Sequence, residues 1–170
     1  LGMDESPQKI ADHLATMGWH ELHYLIHNAS GGYVGQIAAQ TPSSIATLIA
    51  VNLKAPLALS QLLYPALART TGTLCFIGST VKGRTTPDFA VYTATKTALS
   101  DLARNLATEW QQRVRVIEVN PGPTRTAFHA KAGLENPPFA KFFMSAEEVA
   151  AGIEKSLKTG KRRKDFSITS

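Results

Sequence analysis

Three residues between positions 79 and 96 carry side chains that could transfer a proton together. Ser79 is followed thirteen positions later by Tyr92, and Lys96 lies one helical turn beyond it. A tyrosine and a lysine four residues apart share one face of a helix. A nearby ammonium favours the phenolate and lowers the tyrosine pKa from its reference value of about 10. With a serine hydroxyl to hold a substrate oxygen, the trio predicts a site that interconverts a carbonyl and an alcohol.

The same pattern also fits an ordinary helical pair. Tyr-x-x-x-Lys is short and common, so on its own it describes a half-exposed tyrosine and lysine with no chemical role. The elements that would position Tyr92 and Lys96 therefore decide between the two interpretations.

The length and the composition of the chain are those of one globular domain. The chain has 170 residues, of which 44% are hydrophobic and 18% charged, enough to bury a substantial core. No uninterrupted apolar run reaches the length of a membrane span and no secretory signal opens the sequence, so we expect a cytoplasmic protein with no membrane partner. The single cysteine, Cys75, fits a reducing compartment, and its apolar neighbours predict a buried, unreactive thiol.

The net charge of +5 comes from one short basic region. Five cations lie near the C-terminus, and a run of this kind is usually a solvated helix end or loop; they are Lys158, Lys161, Arg162, Arg163 and Lys164. No aromatic residues interleave with them to stack on bases, so we expect no nucleic-acid partner.

Helical patterns alternate with short apolar strands, which predicts an α/β fold with a doubly wound parallel sheet. The expected helices cover 4–17, 41–67, 92–112 and 146–158, and the expected strands cover 22–27, 73–77, 114–119 and 166–169. In such sheets ligands bind beyond the carboxyl ends of the strands. The loops at Asn28, Ser79 and Pro121 all leave strands at that edge.

Five motifs, in this order, resemble those of the short-chain dehydrogenase/reductase family. They are His-Asn-Ala-Ser at 27–30, Asn52 within a helix, Ser79, the pair Tyr92 and Lys96, and Asn-Pro-Gly-Pro-Thr-Arg-Thr at 120–126. The resemblance covers nearly all of the chain. It implies a Rossmann-like fold and an oxidoreductase that uses NAD(H) or NADP(H) on a small-molecule carbonyl or alcohol substrate.

The resemblance implies a role for each member of the catalytic set. Tyr92 would exchange a proton with the substrate oxygen, and Lys96 would lower the tyrosine pKa and hydrogen-bond the nicotinamide ribose. Ser79 would orient the carbonyl, while Asn52 would hold a water that continues the proton relay from Lys96.

The resemblance also implies that two loops hold the NAD or NADP cofactor, with Tyr92 and Lys96 at its ribose. The loop after the strand 22–27 would line the adenosine side through Asn28, Ala29 and Ser30. The proline-glycine loop would touch the nicotinamide and pyrophosphate through Pro121, Gly122, Thr124 and Thr126.

Each of these residues also has a structural interpretation. Asn52 could be a buried amide satisfied by the backbone, and Ser79 or Asn28 a turn residue. Thr126 could be the N-cap of a short helical segment. His23, His27 and His129 lack metal-ligand spacing, so we expect no metal site.

The sequence departs from the family in two places. His27 and Ser30 replace the usual Asn and Gly of their loop, and the serine restricts the backbone there. No Gly-x-x-x-Gly-x-Gly turn occurs, so the segment that holds the cofactor pyrophosphate is missing from these residues. We expect the C-terminal two-thirds of a longer polypeptide, without the first three strands, with 22–27 as an exposed apolar edge and with weak or no dinucleotide binding by the 170 residues alone.

Further expectations concern function, assembly and the substrate pocket. The alternative to an enzyme is a catalytically silent scaffold or binding protein derived from the same family. By the resemblance we expect a homodimer or homotetramer that pairs through the helices 41–67 and 92–112. The loop 128–144 would form a lid over an apolar substrate pocket.

Overall fold

Four parallel strands form the sheet in the part of the chain that the structure describes. The computed structural model describes residues 2, 5–135, 137, 140–159 and, as backbone, 163–166. The strands are β1 (Tyr24–His27), β2 (Thr73–Ile77), β3 (Arg115–Pro121) and β4 (Arg163–Phe166), and they lie side by side in that order. Every neighbouring pair is parallel, which confirms the predicted fold class.

Helices connect the strands and cover both faces of the sheet. They are α1 (Ser6–Thr16), α2 (Pro42–Ile49), α3 (Ala55–Arg69), α4 (Ala90–Glu109), α5 (Phe128–Lys131) and α6 (Ala146–Thr159), with short 3₁₀ turns at Ile37–Ala39 and Ala140–Phe142. Local capping explains two of the starts. Thr41 Oγ1 accepts a hydrogen bond from Ser44 N at 3.2 Å, and Ser145 and Glu148 form a reciprocal capping box.

Strand β2 is buried on both faces because helices cover both sides of the sheet. Leu74 and Phe76 pack in one core cluster with residues of α3 and α4. Cys75 and Ile77 belong to the other cluster, against α6. The Cys75 side chain is fully buried, and burial raises the pKa of its thiol to about 12, as expected for a structural cysteine.

The long helix between β1 and β2 contains a feature that the sequence did not predict. A π-helical turn at Ala50–Lys54 joins α2 to α3, and the combined helix, Pro42–Arg69, has 28 residues. By length and composition alone this helix could cross a membrane, a test that core helices of soluble proteins also pass. The expectation that no segment is long and apolar enough to span a membrane, drawn from uninterrupted apolar runs in the sequence, did not identify this helix.

The observed strand ends differ from the expected ones. Strand β1 begins at Tyr24 rather than at position 22, because Leu22 N donates to the Ala66 carbonyl at the end of α3. Strand β3 continues through Pro121. Strand β4 begins at Arg163, so Arg163 and Lys164 pair with β3 rather than belonging to a helix end or loop. Residues 160–162 and 167–170 lie outside the described residues.

Strand β1 is the outer strand of the described sheet. It pairs with β2 on one side only, and Tyr24 and Ile26 are 53% and 41% exposed. Within the described residues this matches the apolar edge expected for this segment.

Candidate active site

A cavity of about 410 Å³ opens where β1, β2 and β3 end. The loops that leave these strands form its walls, together with the first turns of α4. Nine of the eleven predicted site residues line it: Asn28, Ser30, Ser79, Tyr92, Lys96, Pro121, Gly122, Thr124 and Thr126. Ala29 and Asn52 do not line it. Among the residues that the structure describes, no group of three or more His, Cys, Asp or Glu side chains could hold a metal ion.

Tyr92 lies in the first turn of α4 and is 9% exposed. Its ring contacts Phe128 and Phe89, with centroids 5.3 and 6.3 Å away. Burial raises the pKa of the phenol, and a hydrogen bond with Ser79 opposes part of that rise. Tyr92 is therefore protonated at neutral pH.

Lys96 lies one turn further along α4 and is 3% exposed. Its Nζ donates to the Ile77 carbonyl at 2.9 Å and lies 5.7 Å from the centre of the Tyr92 ring. Burial lowers the pKa of Lys96 to about 8, and the negative charge of Glu118 acts in the opposite direction. The expected lowering of the Tyr92 pKa is wrong for this structure, since desolvation outweighs the other influences on the phenol.

Ser79 follows β2 and is held by β3. Its backbone N–H donates to Asn120 Oδ1 at 3.1 Å, and its Oγ accepts from Val81 N at 3.3 Å. Asn120 is fully buried. A Cβ at Gly78 would collide with Asn120 Oδ1, so a residue without a side chain lets the two strands bring Ser79 to the cavity.

Asn52 lies in the π-helical turn and ties the loop after β1 to α4. Its Oδ1 accepts from Gly31 N at 2.8 Å and from Ser30 Oγ at 3.2 Å. Its Nδ2 donates to the Gly31 carbonyl at 3.0 Å and to Thr95 Oγ1 at 3.1 Å. A carboxamide offers two donor and two acceptor positions. All four are engaged, two by the backbone of Gly31 and two by the hydroxyls of Ser30 and Thr95, so the amide is satisfied as in the structural interpretation, but only half by the backbone.

The proline-glycine loop is fixed by its own side chains. Thr124 Oγ1 donates to the Gly122 carbonyl at 3.0 Å. Thr126 Oγ1 accepts from Phe128 N at 3.2 Å, but the N-cap of the short helix α5 is Ala127, so the interpretation of Thr126 as the N-cap is wrong by one residue. Arg125 N donates to the Met144 carbonyl at 2.8 Å, so the loop is joined to the segment that precedes α6.

Aromatic side chains of the predicted lid form one wall of the cavity. Phe128 and His129 line it, and the His129 ring lies 4.9 Å from that of Phe143. Burial lowers the pKa of His129, and its Nδ1 is buried without a hydrogen-bond partner among the described residues. Residues 136, 138 and 139 of the lid lie outside the described residues.

Sequence reasoning missed several residues at this site. Thr86 and Phe89 line the cavity, and their position just before the helix of Tyr92 could have indicated this. His129 had been interpreted as structural. A buried ion pair between Lys82 and Glu118 carries no sequence signal, since its members are isolated charges in different elements.

Comparisons with known proteins identify a matching family model and several relatives. The short chain dehydrogenase family model matches residues 4–136. The uncharacterized oxidoreductase YciK of Escherichia coli is 35% identical over 132 residues, which cover 75% of this chain and 51% of that protein. A tropinone reductase homologue of Arabidopsis thaliana, At2g29150, is 28% identical over 159 residues, 92% of this chain and 55% of that protein. The chain spans about half the length of these curated relatives.

A solved structure shares the fold over nearly the whole chain. The short-chain dehydrogenase from Sphingobium yanoikuyae, solved in complex with NADPH, superposes with a TM-score of 0.85 at 23% identity. The match covers 97% of this chain and 64% of that one.

Proposed function

Because this chain belongs to the short-chain dehydrogenase family, we propose that it carries the proton-transfer and nicotinamide-binding part of a carbonyl/alcohol oxidoreductase. The observation that carries the proposal is the convergence of Ser79, Tyr92 and Lys96 on one cavity, which the proline-glycine loop also lines. An ordinary helical pair of tyrosine and lysine would not have a serine from the loop after β2 beside it.

The donors at the cavity suit the nicotinamide end of NAD(H) or NADP(H). Lys96 Nζ uses one of its three protons on the Ile77 carbonyl, so two remain for ribose hydroxyls. Thr124, Thr126 and Gly122 also line the cavity and would contact the nicotinamide, with Asn28 and Ser30 toward the adenosine. When bound, the cofactor supplies or accepts the hydride.

Tyr92 acts as the general acid in carbonyl reduction. Its raised pKa keeps the phenol protonated near neutral pH, so it can donate a proton to the substrate oxygen as negative charge develops there. The Ser79 hydroxyl gives that oxygen a second hydrogen bond. Asn52 contributes by fixing the loop that carries Asn28 and Ser30, and its relay of protons through a water remains a prediction.

The test is a Tyr92→Phe substitution in the full-length protein. Without the phenolic hydroxyl, turnover of carbonyl substrates with NADH or NADPH should fall by about 10²–10⁴-fold, the usual contribution of a general acid. Cofactor affinity, measured by fluorescence titration, should stay within about twofold because the ring remains.

Tyr24→Phe is the matched control, since Tyr24 lies at the start of β1 and is not among the residues that line the cavity. Normal turnover by the Tyr92→Phe variant would overturn the assignment. A full-length protein that binds neither NADH nor NADPH would instead favour the catalytically silent scaffold.

A further inference from the structure

A buried ion pair lies behind the cavity, on the sheet side of α4. Lys82 Nζ lies 2.6 Å from Glu118 Oε1, and the two side chains are only 9% and 5% exposed. Glu118 belongs to the middle of β3, where its neighbours on the strand are apolar. Lys82 reaches it from the loop that follows β2.

The ion pair fixes the loop that carries Ser79 to strand β3. Lys82 N donates to the Ser79 carbonyl at 3.3 Å, which makes residues 79–82 a tight turn. A Cβ at Gly78 would lie only 2.9 Å from Glu118 Oε1, so the carboxylate packs directly beneath the start of this loop. Ser79 is thus held by two β3 side chains, through Asn120 on its own N–H and through Glu118 on Lys82.

Stability alone does not account for this arrangement. Desolvating two charges is costly, and well-packed apolar side chains of similar volume are often as good or better for stability. Leu74, Phe76 and Val116 form an apolar cluster on the same side of the sheet, which an apolar residue at position 118 would extend. A buried pair in such a core calls for a role other than packing.

Glu118 and Lys96 meet the end of β2 at neighbouring residues, since Lys96 Nζ donates to the Ile77 carbonyl and Glu118 Oε1 lies next to Gly78. Among the elements packed against α4, β3 contributes Glu118 and the loop after β2 contributes Lys82, while Tyr92 lies on α4 itself. The remaining ionisable side chains point elsewhere or into solvent: Arg115 bonds toward α6, Cys75 packs against α6 and Lys54 is exposed. The Glu118 carboxylate is accordingly the anion that favours the charged form of the buried Lys96.

We propose that the Lys82–Glu118 ion pair is a positioning device for the reaction proposed above, on which this inference rests. Lys82 anchors the turn that presents Ser79, and Glu118 holds a negative charge beneath Lys96. The ion pair thereby links the position of the Ser79 hydroxyl to the protonation state of Lys96.

The first test is Glu118→Gln in the full-length protein, a nearly isosteric change that removes the charge. Lys96 should titrate at lower pH than in the unsubstituted protein, as followed by NMR of its Nζ. The high-pH limb of the kcat profile should move in the same direction, and kcat at neutral pH should fall by about tenfold or more as the serine loop loosens. KM for the cofactor should change by less than about twofold. Glu154→Gln, which opens the exposed Lys158–Glu154 pair, is the matched control and should change none of these quantities.

A second set of variants separates positioning from mere folding. Replacing both partners, Lys82→Met with Glu118→Met, leaves no orphaned charge, so the double variant should fold. Its Lys96 pKa and its kcat should nevertheless be as low as those of the Glu118→Gln variant. Lys82→Arg keeps the ion pair, so its activity should stay close to that of the unsubstituted protein. A double variant with unchanged kcat and an unchanged Lys96 titration would overturn the proposal. Both the NMR titration and hydrogen exchange at residues 79–82 can be read without turnover, so they distinguish this failure from failure of the proposed function.

Discussion

Burial sets the protonation states of the ionisable side chains around the cavity. It raises the pKa of Tyr92 and lowers that of Lys96 to about 8, so near neutral pH the phenol is uncharged and the ammonium charged. That combination suits a proton donor beside a fixed cation. Spacing along the chain could put Tyr92 and Lys96 on one face of a helix, because i, i+4 geometry is local, whereas the place of Ser79 beside them followed from the resemblance of its motif. The direction of the Tyr92 pKa was not predictable, since it depends on burial by residues such as Phe128, which lies 36 positions further along the chain.

His27 makes stability depend on pH on the acidic side. Burial lowers the pKa of its imidazole from 6.5 to about 4, and its Nε2 hydrogen-bonds Ser60 Oγ at 2.9 Å. Between those values the unfolded chain binds a proton that the folded protein does not, so the free energy of unfolding rises with pH from about 4 to about 6.5.

The expected loss on acidification across that window is on the order of 3 kcal/mol at most. Urea denaturation of the protein and of a His27→Gln variant across the window measures it, because the variant lacks the titrating group. The same slope in both proteins would show that His27 is not responsible.

Elements whose signals are local were predicted well, and those that depend on tertiary contacts were not. The caps at Thr41 and Ser145 are short-range patterns, and the apolar run of β2 has the observed bounds. The π-helical turn at Ala50–Lys54 is different, because it accompanies the hydrogen bonds of Asn52 to Gly31 and Thr95, which lie 21 and 43 residues away. Strand β4 likewise owes its position to pairing with β3.

Asn52→Ala should loosen the loop after β1. The substitution leaves the Gly31 N–H and carbonyl without their partner, and one unsatisfied buried group costs about 1–3 kcal/mol. Urea denaturation should show a loss of that size, and hydrogen exchange should accelerate at residues 28–32. Asn105→Ala is the control, because Asn105 is exposed and bonds only the preceding turn of α4. Equal losses in the two variants would contradict a special role for Asn52.

At the scale of the whole molecule, the two longest helices leave apolar surface uncovered. Ile49 and Leu57 on the long helix are 42% and 43% exposed. Between α3 and α4 runs an open groove, whose apolar lining includes Leu57, Tyr64, Leu102, Leu106 and Trp110. Exposed apolar patches of this kind mark interaction surfaces, and we expect a second copy of the protein to cover this one.

Sedimentation velocity tests that expectation directly. The protein at micromolar concentration should sediment as a dimer or tetramer, and Leu57→Glu should shift it toward monomer because a carboxylate cannot be buried unpaired in the interface. Met17→Glu, an equally drastic change at an exposed methionine beside the end of α1, should leave the assembly intact. A monomer at every concentration would contradict the proposal.

The reactivity of the single cysteine can report how often the structure opens around β2. Cys75 lies at the centre of β2, fully buried, with a thiol whose pKa burial raises to about 12. Only the thiolate reacts with alkylating or disulfide reagents, so labelling has to wait until α6, which covers Cys75 with Ile153 and Leu157, leaves this face of the sheet. The rate of modification in native buffer therefore reports how often α6 opens away from β2, the strand that Ser79 follows, with no cysteine introduced by mutation.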